Sequence, residues 1–209
     1  MPKRLLLVLL VLATSLFAAC DDTPKAPAER GPSRFNGVKR AQGDAAQKSF
    51  CELSFPAGDE GSRAFTAPVE KPIPGVAGAP LTAKGGRWKW INLWATWCHP
   101  CIEEIGLLGK WQQSLRKDGV PIDLELYSVD DDEAALTGWL KKTNMPGTVR
   151  WLKGGAADLP GVLEGFGVDK TAGVPVHALV DGNNKLRCVR TGSVHDEDYG
   201  AIKAILLGG

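Results

Sequence analysis

The sequence predicts an α/β domain with a central mixed β-sheet flanked by helices. Three observations predict it. The apolar run Trp88-Lys89-Trp90-Ile91-Asn92-Leu93-Trp94 has the length and composition of a buried strand. Apolar residues at helical spacing follow it (Ile105, Leu108, Trp111, Leu115), and then a second strand-like segment, which is the order of a parallel crossover. Near the C-terminus two short apolar strands flank Asp181-Gly182-Asn183-Asn184, a hairpin signal, so part of the sheet is antiparallel.

The elements follow in order. Trp88 to Trp94 is the first strand, and a helix runs from about Cys98 to Lys117, with Gly119 as its stop. Ile122 to Val129 alternates apolar and polar residues and reads as a strand. Asp130 to Glu133 is an acidic helix start continued by Ala134 to Lys142. A short strand at Val149 to Leu152 and a short helix at Leu159 to Phe166 come next. Strands at Val176 to Val180 and Leu186 to Arg190 form the hairpin, and a helix from Asp196 to Leu207 closes the domain.

The N-terminus reads as an address rather than as fold. Lys3-Arg4 is a positive start, Leu5 to Phe17 is apolar but short for a membrane span, and the small residues Ala18-Ala19 precede Cys20. Residues 1–19 are therefore expected to be a signal peptide; cleavage elsewhere and a retained N-terminal anchor helix are the alternatives. Residues 20–50 carry much Pro, Ala, Lys, Arg and Gly and few large apolar side chains, so they read as a flexible tether. Residues 51–209 form the domain. The net charge of +1 gives no electrostatic footprint for nucleic acid, and seven tryptophans supply apolar surface for a core.

Cys98-His99-Pro100-Cys101 sits between the first strand and the first helix. A cysteine at a helix N-terminus meets unpaired backbone N–H groups and the positive end of the macrodipole, which stabilise a thiolate. A second thiol one turn later can resolve a mixed disulfide. A zinc site would need two further ligands, yet Cys20, Cys51 and Cys188 are scattered and His99, His177 and His195 form no ligand pair. A haem attachment would need His where Ile102 stands. No metal and no other cofactor is expected. Redox chemistry is the reading: Cys98 as nucleophile and Cys101 as resolving thiol.

The stretch Trp94-Ala95-Thr96-Trp97-Cys98-His99-Pro100-Cys101 resembles the thioredoxin superfamily, and more narrowly its TlpA-like, membrane-anchored thiol–disulfide oxidoreductases. The resemblance runs from about Phe55 to the C-terminus and includes Gly173-Val174-Pro175-Val176. It implies the thioredoxin fold, a cis-proline at Pro175 facing the CxxC, and substrate-strand pairing at Val174. Pro100 is the usual proline of thioredoxin-like reductants. Glu104 matches the Glu of the TlpA-like pattern WCxPCxxE, which implies a proton acceptor for Cys101; the alternative is a residue that complements the helix dipole, like Glu103. Thioredoxins proper have a buried Asp where Asn92 stands, and Gly106 replaces a proline often found in the family. His99, if cationic beside Cys98, would make the disulfide more oxidising; the alternative is a solvent-facing ring. His177 either lines the substrate groove or is a structural histidine. Trp94 and Trp97 either pack around the site or simply fill the core.

Leu16-Phe17-Ala18-Ala19-Cys20 resembles a lipobox, which implies lipidation of Cys20, and Asp21-Asp22 resembles an inner-membrane retention signal. Members of the family with a second disulfide imply a structural Cys51–Cys188 bond; two unpaired thiols are the alternative. The resemblance further implies a periplasmic reductant of protein disulfides, fed by a membrane thiol donor, with apocytochrome c or copper-site assembly proteins among family targets. A disulfide-forming oxidase of the same fold is the second reading. A thioredoxin-fold copper chaperone is the third, and the CxxC spacing counts against it.

Overall fold

The computed structural model describes residues 42, 44–55, 57, 62–78 and 86–208. The expected signal peptide and Cys20 lie outside them.

Eight strands form one mixed sheet: β1 (Leu53–Ser54), β2 (Arg63–Ala64), β3 (Glu70–Lys71), β4 (Trp88–Trp94), β5 (Ile122–Ser128), β6 (Thr148–Leu152), β7 (Val176–Val180) and β8 (Lys185–Thr191). Their order is β1-β8-β7-β4-β5-β6-β3, with β2 also paired to β8. β4, β5 and β6 run parallel, and β7 lies antiparallel to β4. The helices are α1 (44–50), α2 (His99–Lys117), α3 (Glu133–Leu140), α4 (Leu159–Phe166) and α5 (Tyr199–Gly208). The predicted mixed sheet with flanking helices is the observed one.

β4 is central and nearly all buried, because neighbouring strands satisfy its backbone and packed side chains cover both faces. Trp90 stacks on Trp111 of α2 at 6.0 Å, and Trp111 meets Tyr199 of α5 at 5.6 Å, so these two helices pack together on the sheet. At the other edge Arg150 of β6 bonds both carboxylate oxygens of Glu70 (3.0 and 2.9 Å) and reaches Glu125 at 3.2 Å. This buried group ties the two-residue strand β3 to the parallel core. Burial, with Glu125 alongside, pushes the Tyr127 phenol far above its usual range.

Several boundaries differ from the sequence reading. Within the segment expected to be a tether, residues 44–50 are helical, with Ala46 and Phe50 on one face and buried in the core; residues 20–41 and 43 lie outside the described residues. α3 begins at Glu133 rather than Asp130: the side chain of Asp132 accepts from the N–H of Ala134 at 2.8 Å and caps the helix. Asp130 is left to the preceding loop. The closing helix starts at Tyr199, after a 3-10 turn over Asp196–Asp198 fixed by His195 N–H donating to Asp198 at 2.9 Å. In the hairpin, Asp181 Oδ1 accepts from the N–H groups of Asn183 and Lys185, both at 2.9 Å, and Asn184 takes a positive φ of 60°.

Candidate active site

β4 ends at Trp94, and the chain turns at once into α2. The N–H of Cys98 donates to the carbonyl of Ala95 at 3.1 Å, closing the turn. Cys98 caps α2 with extended backbone (φ −88°, ψ 96°), and its Sγ accepts from the N–H of Cys101 at 3.3 Å. Pro100 falls in the first turn, where a backbone N–H has no helical partner and its absence costs little. Cys98 and Cys101 are disulfide-bonded, with Cα atoms 5.3 Å apart. Cys101 is fully buried and Cys98 is 5% exposed, while Trp97 beside them is 66% exposed.

The loop before Cys98 hangs on a buried carboxylate that the sequence reading missed. Asp130 accepts from Thr96 N–H (3.1 Å to each oxygen), from Thr96 Oγ1 at 2.6 Å and from Ser128 Oγ at 2.7 Å. The ends of β4 and β5 are thereby tied together, two residues before Cys98 in the chain. The only hint in the sequence was an Asp at the end of an apolar strand, which reads equally well as a helix cap.

The Val174–Pro175 peptide is cis. The Val174 carbonyl lies 3.6 Å from Cys98 Sγ, and the Pro175 carbonyl accepts from Gly192 N–H at 2.9 Å. The β4–β7 pairing brings this segment beside the CxxC: Leu93 faces Val176, and Asn92 faces His177.

One turn along α2 from Cys101 lies a buried polar group. Glu104, on α2, receives Asn92 Nδ2 on Oε1 at 3.0 Å and Val194 N–H on Oε2 at 2.9 Å. His177 Nε2 stands 3.3 Å from the same Oε1, off the line of a hydrogen bond. The far nitrogen of that ring, Nδ1, accepts from Trp90 Nε1 at 3.2 Å, and Asn92 Nδ2 is 3.4 Å from it. An indole N–H only donates, so Nδ1 is bare and the neutral ring carries its proton on Nε2, toward Glu104. The contact is therefore a donor facing a carboxylate rather than an ion pair. Glu104 is 4% exposed and forms part of the wall of an open cleft between α2 and residues 193–197. Alternation along β4 sets Trp90 and Asn92 on one face, and a lone His inside an otherwise apolar strand was the signal for their partner.

The remaining predicted residues lie apart from this cluster. His99 is exposed and pairs with Glu103 at 3.1 Å. Cys51 and Cys188 are disulfide-bonded and join the chain after α1 to β8. Gly106 lies within a continuous α2. Among the described residues no group of three or more His, Cys, Asp or Glu is placed to hold a metal ion, and no helix is long and apolar enough to cross a membrane.

No protein-family model matches the chain. Two curated relatives, both named thiol-disulfide oxidoreductase ResA, come from Bacillus thuringiensis subsp. konkukian and Bacillus cereus. Each is 26% identical over 103 residues, covering 48% of this chain and 53% of the relative. The chain thus spans about half the length of the curated relatives it matches. Two solved structures share its architecture. One is a thiol:disulfide interchange protein from Bacteroides sp. (TM-score 0.51, 18% identity, 71% of this chain and 90% of that one). The other is a thioredoxin-related protein from Neisseria meningitidis serogroup B (TM-score 0.50, 21% identity, 65% and 93%). The fold is the thioredoxin fold, as the resemblance implied.

Proposed function

We propose that this chain is a thiol–disulfide oxidoreductase that reduces protein disulfides on the periplasmic side of a bacterial inner membrane, tethered there by a lipid on Cys20. The observation that carries the reading is the Cys98–Cys101 pair at the N-terminus of α2, with the Val174 carbonyl 3.6 Å from Cys98 Sγ.

In the reduced protein the Cys101 N–H and the helix terminus stabilise a Cys98 thiolate. The thiolate attacks a target disulfide. One target sulfur leaves as a thiolate, and the other is bound to Cys98. The backbone at Val174 pairs with the target segment as an added strand, and the exposed Trp97 gives it an apolar contact. Cys101 loses its proton to Glu104 and attacks Cys98 Sγ. The Cys98–Cys101 bond forms as the Cys98–target bond breaks, and the second target sulfur leaves and is protonated. The target gains two electrons and the protein loses two. A membrane dithiol carrier then restores the reduced pair. His99 is solvent-exposed and its ring is engaged by Glu103 at 3.1 Å, which favours a reductant over a disulfide-forming oxidase. Cys51–Cys188 serves as a structural bond.

The names of the curated relatives support the reaction class. The test is a trap. Cys101→Ser is expected to accumulate a mixed disulfide with a disulfide-bonded protein, while Cys98→Ser forms none. Absence of the adduct from Cys101→Ser would refute the reading.

A further inference from the structure

His177 is a member of the buried group around Glu104 that the reaction above does not use. His177 is 1% exposed, its Nδ1 is occupied by the Trp90 indole N–H, and its Nε2 faces Glu104 Oε1 at 3.3 Å. We infer that His177 is a positioning residue for the resolving step: Trp90 fixes its tautomer so that the Nε2–H faces Glu104 Oε1, at contact distance but short of a hydrogen bond in the oxidised protein, and steadies the carboxylate that takes the Cys101 proton. The inference rests on the reading of Cys98–Cys101 as a redox pair with Glu104 as proton acceptor.

The geometry carries the argument. Cys101 and Glu104 lie one turn apart on α2 and are both buried, which puts the carboxylate on the thiol's side of the helix. Two hydrogen bonds hold the carboxylate, from Asn92 Nδ2 and Val194 N–H, and His177 Nε2 stands 3.3 Å from Oε1 without completing a third. On the Oε1 side the Asn92 amide is shared with the His177 ring, 3.4 Å away, and that ring stands beside Oε1 itself. Arg190, opposite His177 on β8, directs its Nη1 to Asp198 at 3.5 Å and to the Phe50 carbonyl at 3.3 Å, and the carboxylate within 4 Å of His177 among the described residues is Glu104. The cleft along Glu104 gives the transferred proton a way to solvent.

The step separates cleanly in a stopped-flow experiment. Reduced protein with Cys51–Cys188 intact is mixed with 5,5′-dithiobis(2-nitrobenzoate). The first thionitrobenzoate released reads Cys98 attack and the second reads resolution by Cys101. His177→Leu is expected to slow the second release about tenfold or more, to change the pH profile of that phase, and to leave the first unchanged. His177→Gln, which keeps an N–H, is expected to recover most of the rate. His177→Leu added to Glu104→Gln is expected to cost nothing further. Equal slowing of both releases, or a normal second release in His177→Leu when Glu104→Gln is slow, would overturn the inference.

If His177→Leu does not fold, Trp90→Phe carries the test, with slowing of the second release alone as the expected result. Nitrogen NMR of the imidazole gives a readout independent of activity. An Nε2–H tautomer is expected in the wild type, and an Nδ1–H tautomer would overturn the inference. A wild type that releases no thionitrobenzoate from Cys98 would defeat the redox reading itself, and a normal second release in Glu104→Gln would defeat the role of Glu104. The three failures are thus distinguishable.

Discussion

Replacing Asp130 by Ala should loosen the loop that carries Cys98. The carboxylate is 1% exposed and accepts from Thr96 N–H, Thr96 Oγ1 and Ser128 Oγ. Hydrogen bonds to a charged group contribute about 1.5–3 kcal/mol each. The three do not add in full, because Thr96 is half-buried and regains some water, and because removing the carboxylate also removes its own desolvation cost. A net loss of about 3–5 kcal/mol follows, since Ser128 is fully buried and loses this acceptor outright. For a domain of this size that is a fall in Tm of about 6–20 °C. Asp130→Asn keeps one acceptor and should lose only about 1–2 kcal/mol. The assay is urea unfolding of the oxidised protein followed by tryptophan fluorescence, with the m-value checked for constancy. Cys98 attack should slow in Asp130→Ala as well, since the turn at Ala95 to Cys98 is no longer anchored. A loss below about 1 kcal/mol, or equal losses for Ala and Asn, would refute the anchoring role.

Three further outcomes are expected. On α2, Gly109→Ala should destabilise by about 1–3 kcal/mol because its Cβ would meet Pro146 Cβ at 2.5 Å, whereas Gly106→Ala, which faces open space, should stabilise by about 0.5–1 kcal/mol; matched denaturation curves read the opposite signs. Opening Cys51–Cys188 by a double Ser substitution should cost about 4–5 kcal/mol in the chain-entropy model, since the bond spans 137 residues, and a non-reducing peptide map lacking the joined fragments would remove the premise. The hydrogen bond from Arg87 holds the Asp123 carboxyl below its usual range, so the pair's contribution is present above about pH 4, the unfolded carboxyl value, and is lost as pH falls through the lower folded one. Arg87→Gln should therefore cost about 1 kcal/mol at pH 7 and nothing once Asp123 is protonated, and an equal cost at both pH values would count against it.

What the sequence disclosed depended on how local each signal was. The bounds of β4, α4 and β7 agree with the sequence reading residue for residue, because each is a continuous pattern. The strands β1, β2 and β3 escaped it: each is two residues long and exists only through pairing with β8 or β6, far away in the chain. The same limit applied to the site. The CxxC, the proline and Glu104 were legible as motifs. The contacts among Asn92, His177 and Trp90 arise from cross-strand pairing, which sets Asn92 opposite His177. Asp130 read as a helix start because its partner, Thr96, lies on another strand's end.

The most direct test of the account is the equilibrium reduction potential of Cys98–Cys101 in dithiothreitol and glutathione buffers, with Cys51–Cys188 followed separately. The account predicts a value near −270 mV, as for thioredoxin, which suits a reductant refilled by a membrane dithiol. A value near −120 mV, as for DsbA, would contradict it and make the protein an oxidant of thiols.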